Sequence, residues 1–573
     1  MLENYEVPID KLKNYCEIDS LDFRDTSDLE PLHGIIGQQR ASKSLDFGLS
    51  IQKKGYNIFV SGQSGTGRNS YVKHIANEKA EENKIPEDWL YVYNFENPHN
   101  PLALSLKSGD GKHFKEEVEE TIKNLKREVE NLFASKEHEN MRNGLYQQFS
   151  SMTADTIEEL NKIAEKYDFR FSQTEKGLMS IPLRQGKTYT EEDYKSMSPK
   201  EFEELKDKNT KLSLESFELF NTLRELEKEY RKKLKELDGV AASRIVSSHI
   251  YKLKNLYDYN DTVADYLEAL SNDIISNIQK FRKPKENTGN PFAMFQMNDG
   301  EAFFKRYRVN LFIDNSNKQK APVINLSNPT YYNLIGSLEY SNEMGVMKTD
   351  FMQIKPGALH EANGGFLIIQ AKDILVSPFA WSALKRALST GKVNIEGLGK
   401  QLGYVVTTTL KPEAIPLDLK IILIGDAYTY YLLYNYDEDF KKLFKIMSDF
   451  DIEMNRSQDN LMKMSRFIAT HCEKENLKHF SKEAVAKVID FSSRLAANQE
   501  KLSSKFNQIV EILYEADVWA AKDNSDIVQL SHIQKAIVEK NFRNNKYEEK
   551  IMEMFESGDF IIDVDGVKIG EIN

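Results

Sequence analysis

Gly62-Gln63-Ser64-Gly65-Thr66-Gly67-Arg68-Asn69 is the stretch on which the fold turns. It has the outline G-x-x-x-x-G-K-[ST] of a phosphate-binding loop, with glycines at both ends and a third, Gly65, inside. Glycines let backbone N–H groups converge on an anion, and the N-terminus of a following helix adds its dipole. The flanks agree with this outline. An apolar run, Tyr56 to Val60, precedes the loop, and a helical pattern begins near Ser70. The strand candidate Trp89-Leu90-Tyr91-Val92-Tyr93 comes next. Strand, glycine turn, helix and strand open a βαβ unit.

The chemical positions of the loop depart from the pattern. Arg68 stands where a lysine would lie between β- and γ-phosphates, and its planar fork needs more room than an ammonium. Asn69 replaces the hydroxyl that would ligate Mg²⁺. An active site of this class also wants Asp-Glu at the end of an apolar strand, to hold the metal and orient the water. The matching strand, Phe366 to Ile369, ends in Gln370-Ala371, and Asp373 lies three residues on. Two readings stay open. The loop is either a cradle that binds ATP or ADP with little turnover, its Mg²⁺ ligands replaced, or a bare strand-to-helix turn.

Working outward, residues 1–110 and 300–455 read as two parts of one α/β domain with a doubly wound sheet. The second part supplies the strand candidates Val309 to Ile313, Phe366 to Ile369 and Lys420 to Ile424. Residues 111–290 are rich in Glu and Lys and carry narrow apolar seams at Val118, Ile122, Leu125, Val129, Leu132 and at Leu219, Leu223, Leu226, Tyr230. Between the seams, Phe169-Arg170-Phe171 and Leu178 to Ile181 flank Glu175-Lys176-Gly177 as a small hairpin. The simplest account is a helical coiled-coil insertion; an independent helical domain is the alternative. Residues 457–547 have helix spacing, as in Val485, Val488, Ile489 and Ile509, Ile512, Leu513. From about 555 to 573 the pattern turns strand-like, with Asp565-Gly566 as a hairpin turn. That hairpin either packs on the preceding helices or opens a domain that the sequence does not continue.

The balance of 40% hydrophobic and 29% charged residues is that of a globular protein of several domains. Net charge is −12, which argues against a dedicated nucleic-acid binder. Cys16 and Cys472 are the only cysteines, too few for a disulfide framework or a four-ligand zinc site. Apolar runs are too short to span a bilayer, and the N-terminus lacks the pattern of a signal peptide. The expected location is the cytoplasm, with no membrane and no nucleic acid as partner.

Several blocks together resemble one family. They are Gly37-Gln38 with Arg40-Ala41, the loop ending Gly65-Thr66-Gly67-Arg68, and Asn328-Pro329-Thr330-Tyr331-Tyr332-Asn333-Leu334-Ile335-Gly336. Thr349-Asp350-Phe351, Lys355 to Gly365, Phe379-Ala380-Trp381 with Leu384-Lys385-Arg386, and Asp439-Phe440 with Leu443-Phe444-Lys445 extend the match. The chain is similar to Lon-like proteases, most closely to a bacterial branch with a degenerate AAA+ ATPase module. The resemblance implies an AAA+ α/β domain, a helical insertion, a small helical lid and a serine peptidase domain, assembled as a hexameric homo-oligomeric ring. It implies that Gly37 and Gln38 border the adenine, that Asp426 is the first sensor, and that Lys505 falls near the lid's sensor arginine. Lys441 and Lys442 fall where an arginine finger is expected nearby. The peptidase's Ser–Lys pair would follow residue 573, on a continuation or a companion chain. Partners would be unfolded or damaged polypeptides.

Tyr331, Tyr332, Leu334 and Ile335 read either as a pore loop gripping polypeptide or as a packing segment. His360-Glu361 lacks the second histidine of a metal motif. His471-Cys472 are helix neighbours that point to different faces, and Trp381, Leu384 and Leu388 have core spacing. Three functions follow: a substrate-recruiting and gating module with weak or no ATP hydrolysis, an ATP-dependent unfoldase using Arg68, or a non-catalytic polypeptide-binding scaffold or holdase.

Overall fold

A computed structural model describes residues 7–8, 12–32, 34–174, 177–184, 186–190, 194, 197–281, 302–343, 346–397, 410–560, 565–567 and 569. These form two compact units: one within Met1–Glu87, Asn315–Thr349 and Gln353–Asn573, the other Asp88–Asp314 with Asp350–Met352. Among the described residues, no helix is long and apolar enough to cross a membrane.

The first unit is built on a parallel sheet of β1 (Ile58–Ser61), β2 (Val323–Leu326), β3 (Phe366–Gln370), β4 (Lys420–Gly425) and β5 (Ile446–Asp449), in the order β5-β1-β4-β3-β2. β1, β3 and β4 are near-continuous apolar runs because both faces of the sheet are covered. Alternation along each strand assigns the two cores. Ile58, Val60, Ile368 and Ile422 pack with Leu45 of α1 (Gln39–Ser50) and with Val72 and Ala76 of α2 (Arg68–Glu82). Phe59, Leu367, Ile369 and Leu423 pack on the other face with Ala383 and Leu384 of α3 (Ala380–Thr390). Each such side chain contributes about 1.5–3 kcal/mol through burial. The doubly wound α/β architecture expected from the sequence is therefore present.

Its membership differs in part. β2 and β5 were not foreseen, because Asn325, Ser448 and Asp449 interrupt their apolar character. Conversely, the expected strands Trp89 to Tyr93, which forms as Asp88–Val92, and Val309–Ile313 pair antiparallel, together with Leu102–Leu106, in a sheet of the second unit. A short apolar run fixes that a strand forms, not which sheet receives it.

Following β4 comes α4 (Ala427–Tyr436), whose carboxylate cap is Asp426. The lid is α5 (Gln458–Glu475), α6 (Lys482–Leu495), α7 (Phe506–Lys522) and α8 (Leu530–Asn544). Its core also contains Cys16, Leu21, Phe23 and Ile36. The N-terminal segment, which the sequence assigns to the α/β part, is thus a structural member of the lid.

In the second unit the two apolar seams do not pair with each other. Val118, Ile122, Leu125 and Val129 of the helix Asp110–Phe133 enter a core with Leu90, Val92, Ala242, Val246 and Leu267. The first half of the helix Phe217–Leu256 lies instead against Lys136–Glu165, where Phe149 meets Tyr230. Seam spacing alone does not name the partner helix. The strands Phe169–Thr174 and Gly177–Arg184 pair antiparallel as anticipated. Most of the hairpin expected near the C-terminus, residues 561–564, 568 and 570–573, lies outside the described residues.

Candidate functional site

β1 and β4 are in parallel register, with Ser61 beside Gly425. The residues that follow them, Gly62 and Asp426, therefore emerge together at the carboxyl end of the sheet, where open α/β sheets bind ligands. A cavity of about 820 Å³ opens there, lined among others by Gly37, Gln38, Ser61, Gly62, Gln63 and Asp426. The loop turns into α2 through Gly65 and Gly67, whose φ angles of 89° and 77° lie in the left-handed region that glycine occupies without cost. Thr66 is buried and its hydroxyl donates to the Gln63 carbonyl at 2.9 Å.

Arg68 does not extend into open space. Its Nη1 donates to the carbonyl oxygens of Gly62 and Gly425, tying the ends of β1 and β4 across the cradle. Burial pulls the guanidinium pKa down, and the Asp426 carboxylate opposes that shift. Asn69 and Gln370 face one another, Gln370 Nε2 donating to Asn69 Oδ1 at 3.4 Å. Neither side chain of this neutral amide pair is an anionic ligand for a magnesium ion. Among the described residues no group of three or more His, Cys, Asp or Glu side chains is placed to hold a metal.

The fit to a nucleotide is mixed. In favour stand the N-terminus of α2 and Ser61 Oγ, fully buried on the cavity wall with no hydrogen-bond partner among the described residues. Against a polyphosphate, the lining carries Asp426, Asp449, Asp451 and Asp459 but only Arg40 and Lys463, and Lys463 is paired with Asp459. The lid also covers the crest of the loop: Asn507 N–H donates to the Gly65 carbonyl at 3.4 Å.

The other expected site residues divide by burial. Gln38 lines the cavity, but its amide is engaged with the backbone of Asp451. Gly37 is pressed against Met454, where a Cβ would lie 2.5 Å from the Met454 side chain. Asp426 caps α4 by accepting the Thr429 N–H at 2.7 Å, which together with nearby Arg68 holds its carboxyl below the usual range. Lys505 is the N-cap residue of α7, one and two residues before the lid residues that meet Gly67 and Gly65. Lys441 lies over the Tyr434 ring and Lys442 pairs with Asp439.

The Tyr331–Ile335 segment is a single helical turn. Tyr331, Leu334 and Ile335 belong to the sheet core, and Tyr332 is exposed. Of the four residues read as a pore loop or a packing segment, three therefore pack and one is presented: positions i, i+3 and i+4 share a helix face, and that face is inward. His360 is buried, its pKa pushed down to about 3, and Cys472 is a buried thiol pushed up to about 11. Sequence reasoning missed Ser61, Asp451 and Asn507. Only the adjacency of the Ser61 position to Gly62 was a signal.

Comparison with known proteins follows these segments. Residues 319–451 match the family model "LonB-like, AAA domain", residues 479–543 match "Archaeal LonB, AAA+ ATPase LID domain", and residues 88–121 match "Lon-like LonC helical domain". A curated Archaeal Lon protease of Archaeoglobus fulgidus is 25% identical over 229 residues, 39% of this chain and 36% of the relative. A putative Lon protease homolog of Escherichia coli is 22% identical over 38% of this chain and 36% of its own length. The chain thus spans about a third of the length of these relatives. Among solved structures, NtrX from Brucella abortus in complex with ATP aligns over 48% of this chain and 59% of its own, at 15% identity and a TM-score of 0.25.

Proposed function

We propose, from the premise that this chain belongs to the Lon-like family through its AAA, lid and helical segments, that it is a substrate-recruiting and gating module with little or no ATP hydrolysis. The observation that carries this reading is the Asn69–Gln370 amide pair at the carboxyl end of the sheet. An amide nitrogen between the two positions offers a proton where a divalent cation needs oxygen. The Arg68 tie to Gly62 and Gly425 supports the same view, since a guanidinium satisfied by two carbonyls is held away from a transferring phosphate.

In this reading the cavity takes ATP or ADP chiefly by its base and ribose, and α2 contributes its N-terminal N–H groups to the phosphate. Unfolded polypeptide is the substrate class, and the working form is a homo-oligomeric ring. The lid and the α/β core act as one gate, because the N-terminal segment is folded into the lid. Titration of the chain with ATP, followed by phosphate release with and without Mg²⁺, tests the reading. Nucleotide binding without turnover is expected. Robust Mg²⁺-dependent turnover that disappears in Arg68→Ala would establish the unfoldase instead, and suppression of aggregation without any nucleotide binding would establish a holdase.

A further inference from the structure

At the opposite, amino end of the sheet a second cavity of about 720 Å³ is walled in part by Lys420, Lys53, Lys54 and Lys84. Lys420 opens the central strand β4, and its ammonium is tied to backbone alone. Nζ donates to the carbonyls of Ile51 and Tyr56, the latter at 2.9 Å. Among the described residues it has no carboxylate within ion-pair distance. Other half-buried lysines of this unit do: Lys385 pairs with Asp437, and Lys540 with Glu511. A lysine taken this far from water is ordinarily paired, because an unpaired charge is costly to desolvate.

We propose that Lys420 is an acylation site for small acyl phosphates, independent of the nucleotide reading. Two N–H bonds of the amine are held by the two carbonyls in either protonation state. The one remaining tetrahedral position carries the third proton or the lone pair, and the side chain borders the cavity. Lys53 and Lys84 supply positive charge for the phosphate of the reagent, on a wall they share with Glu82, Glu87 and Asp418. The nitrogen lone pair attacks the acyl carbon, an N–C bond forms, and the C–O bond to phosphate breaks. Phosphate leaves with that electron pair, and the nitrogen gives up one proton to solvent. Nothing is oxidised or reduced. The product amide keeps one N–H, so one of the two carbonyls loses its donor. Burial lowers the amine to about 8, against the opposing charge of Asp418, which leaves about a tenth of it in the nucleophilic form at pH 7 and about half at pH 8.

The test is initial rates of acetylation by acetyl phosphate between pH 7 and 10 on the full chain, site by site by peptide mass spectrometry. Lys53 and Lys84, which line the same cavity, are the internal controls. At pH 8 Lys420 is expected to react roughly tenfold faster than either, since an ordinary lysine is almost wholly protonated there. Its rate should level off near pH 8 to 9 and lose its advantage in urea. A rate at or below that of the controls overturns the proposal. So does a rate that still climbs at pH 10, or an advantage that survives unfolding. The variant K420R must remove the modified peptide while leaving the controls unchanged.

Discussion

The side chain of Gln38 and the backbone of Asp451 form a reciprocal pair: Nε2 donates to the Asp451 carbonyl at 2.8 Å, and the Asp451 N–H donates to Oε1 at 2.9 Å. The two residues lie on the two chain segments that join the lid to the α/β core. One runs from Ile36, in the lid core, into α1; the other runs from β5 into α5. The lid is therefore tethered twice, and the tethers are clasped beside the cavity.

Gln38→Leu keeps the volume and removes both bonds. Asp451 is exposed, so water replaces part of what is lost, and the expected cost is about 1–2 kcal/mol. The more specific outcome is faster amide hydrogen exchange at Asp451 and through the start of α5, with the amides of β3 unchanged. Unchanged exchange at Asp451 would show that the clasp does not hold the tethers.

Gly37→Ala should destabilise more than its size suggests. The new methyl would lie 2.5 Å from the Met454 side chain, at a φ of 68° that alanine disfavours. Overpacking of this kind costs about 1–3 kcal/mol. Urea unfolding measures it, and a loss under half a kilocalorie would mean that Met454 moves freely.

Asp426→Ala removes the cap of α4 and should cost about 0.5–2 kcal/mol at neutral pH. The carboxyl pKa is depressed in the folded chain, chiefly by the Thr429 N–H. Its contribution is thus complete above the unfolded value of about 4 and is lost as pH falls through the lower folded value. The gap in stability between the parent and the variant should narrow below about pH 4. A gap that stays constant to pH 2 would show that the carboxylate charge plays no part.

Nucleotide affinity should be indifferent to magnesium, within about twofold between Mg²⁺ and EDTA, because neither Asn69 nor Gln370 is a magnesium-directing anion. The double variant Asn69→Ser, Gln370→Asp replaces the amide pair by a hydroxyl and a carboxylate. Calorimetric titration should then show tighter binding with Mg²⁺ than without. A strong magnesium requirement in the unaltered chain contradicts the proposed function.

Tyr331 and Tyr332 should separate cleanly. Tyr331→Ala empties a core position and is expected to cost about 3 kcal/mol in unfolding experiments. Tyr332→Ala, at an exposed position, should leave stability unchanged and weaken retention of an unfolded polypeptide in a pull-down. Equal stability loss at both positions would contradict the burial difference.

The sequence by itself determined the local elements and the altered chemistry. The loop from Gly62 to Asn69 between β1 and α2, the buried runs of β3 and β4, and the helical spacing of the lid are all properties of neighbouring residues. So are the Arg68, Asn69 and Gln370 replacements. Only the tertiary structure decided the partners. It placed Asp88–Val92 in an antiparallel sheet, seated Leu21 and Phe23 in the lid, turned Tyr331 inward, and brought Asn69 to Gln370 across 301 positions of chain. The physical reason is that periodicity records how a residue sits relative to its own helix or strand. Which surface covers that face depends on packing between segments far apart in sequence, and no local pattern encodes it.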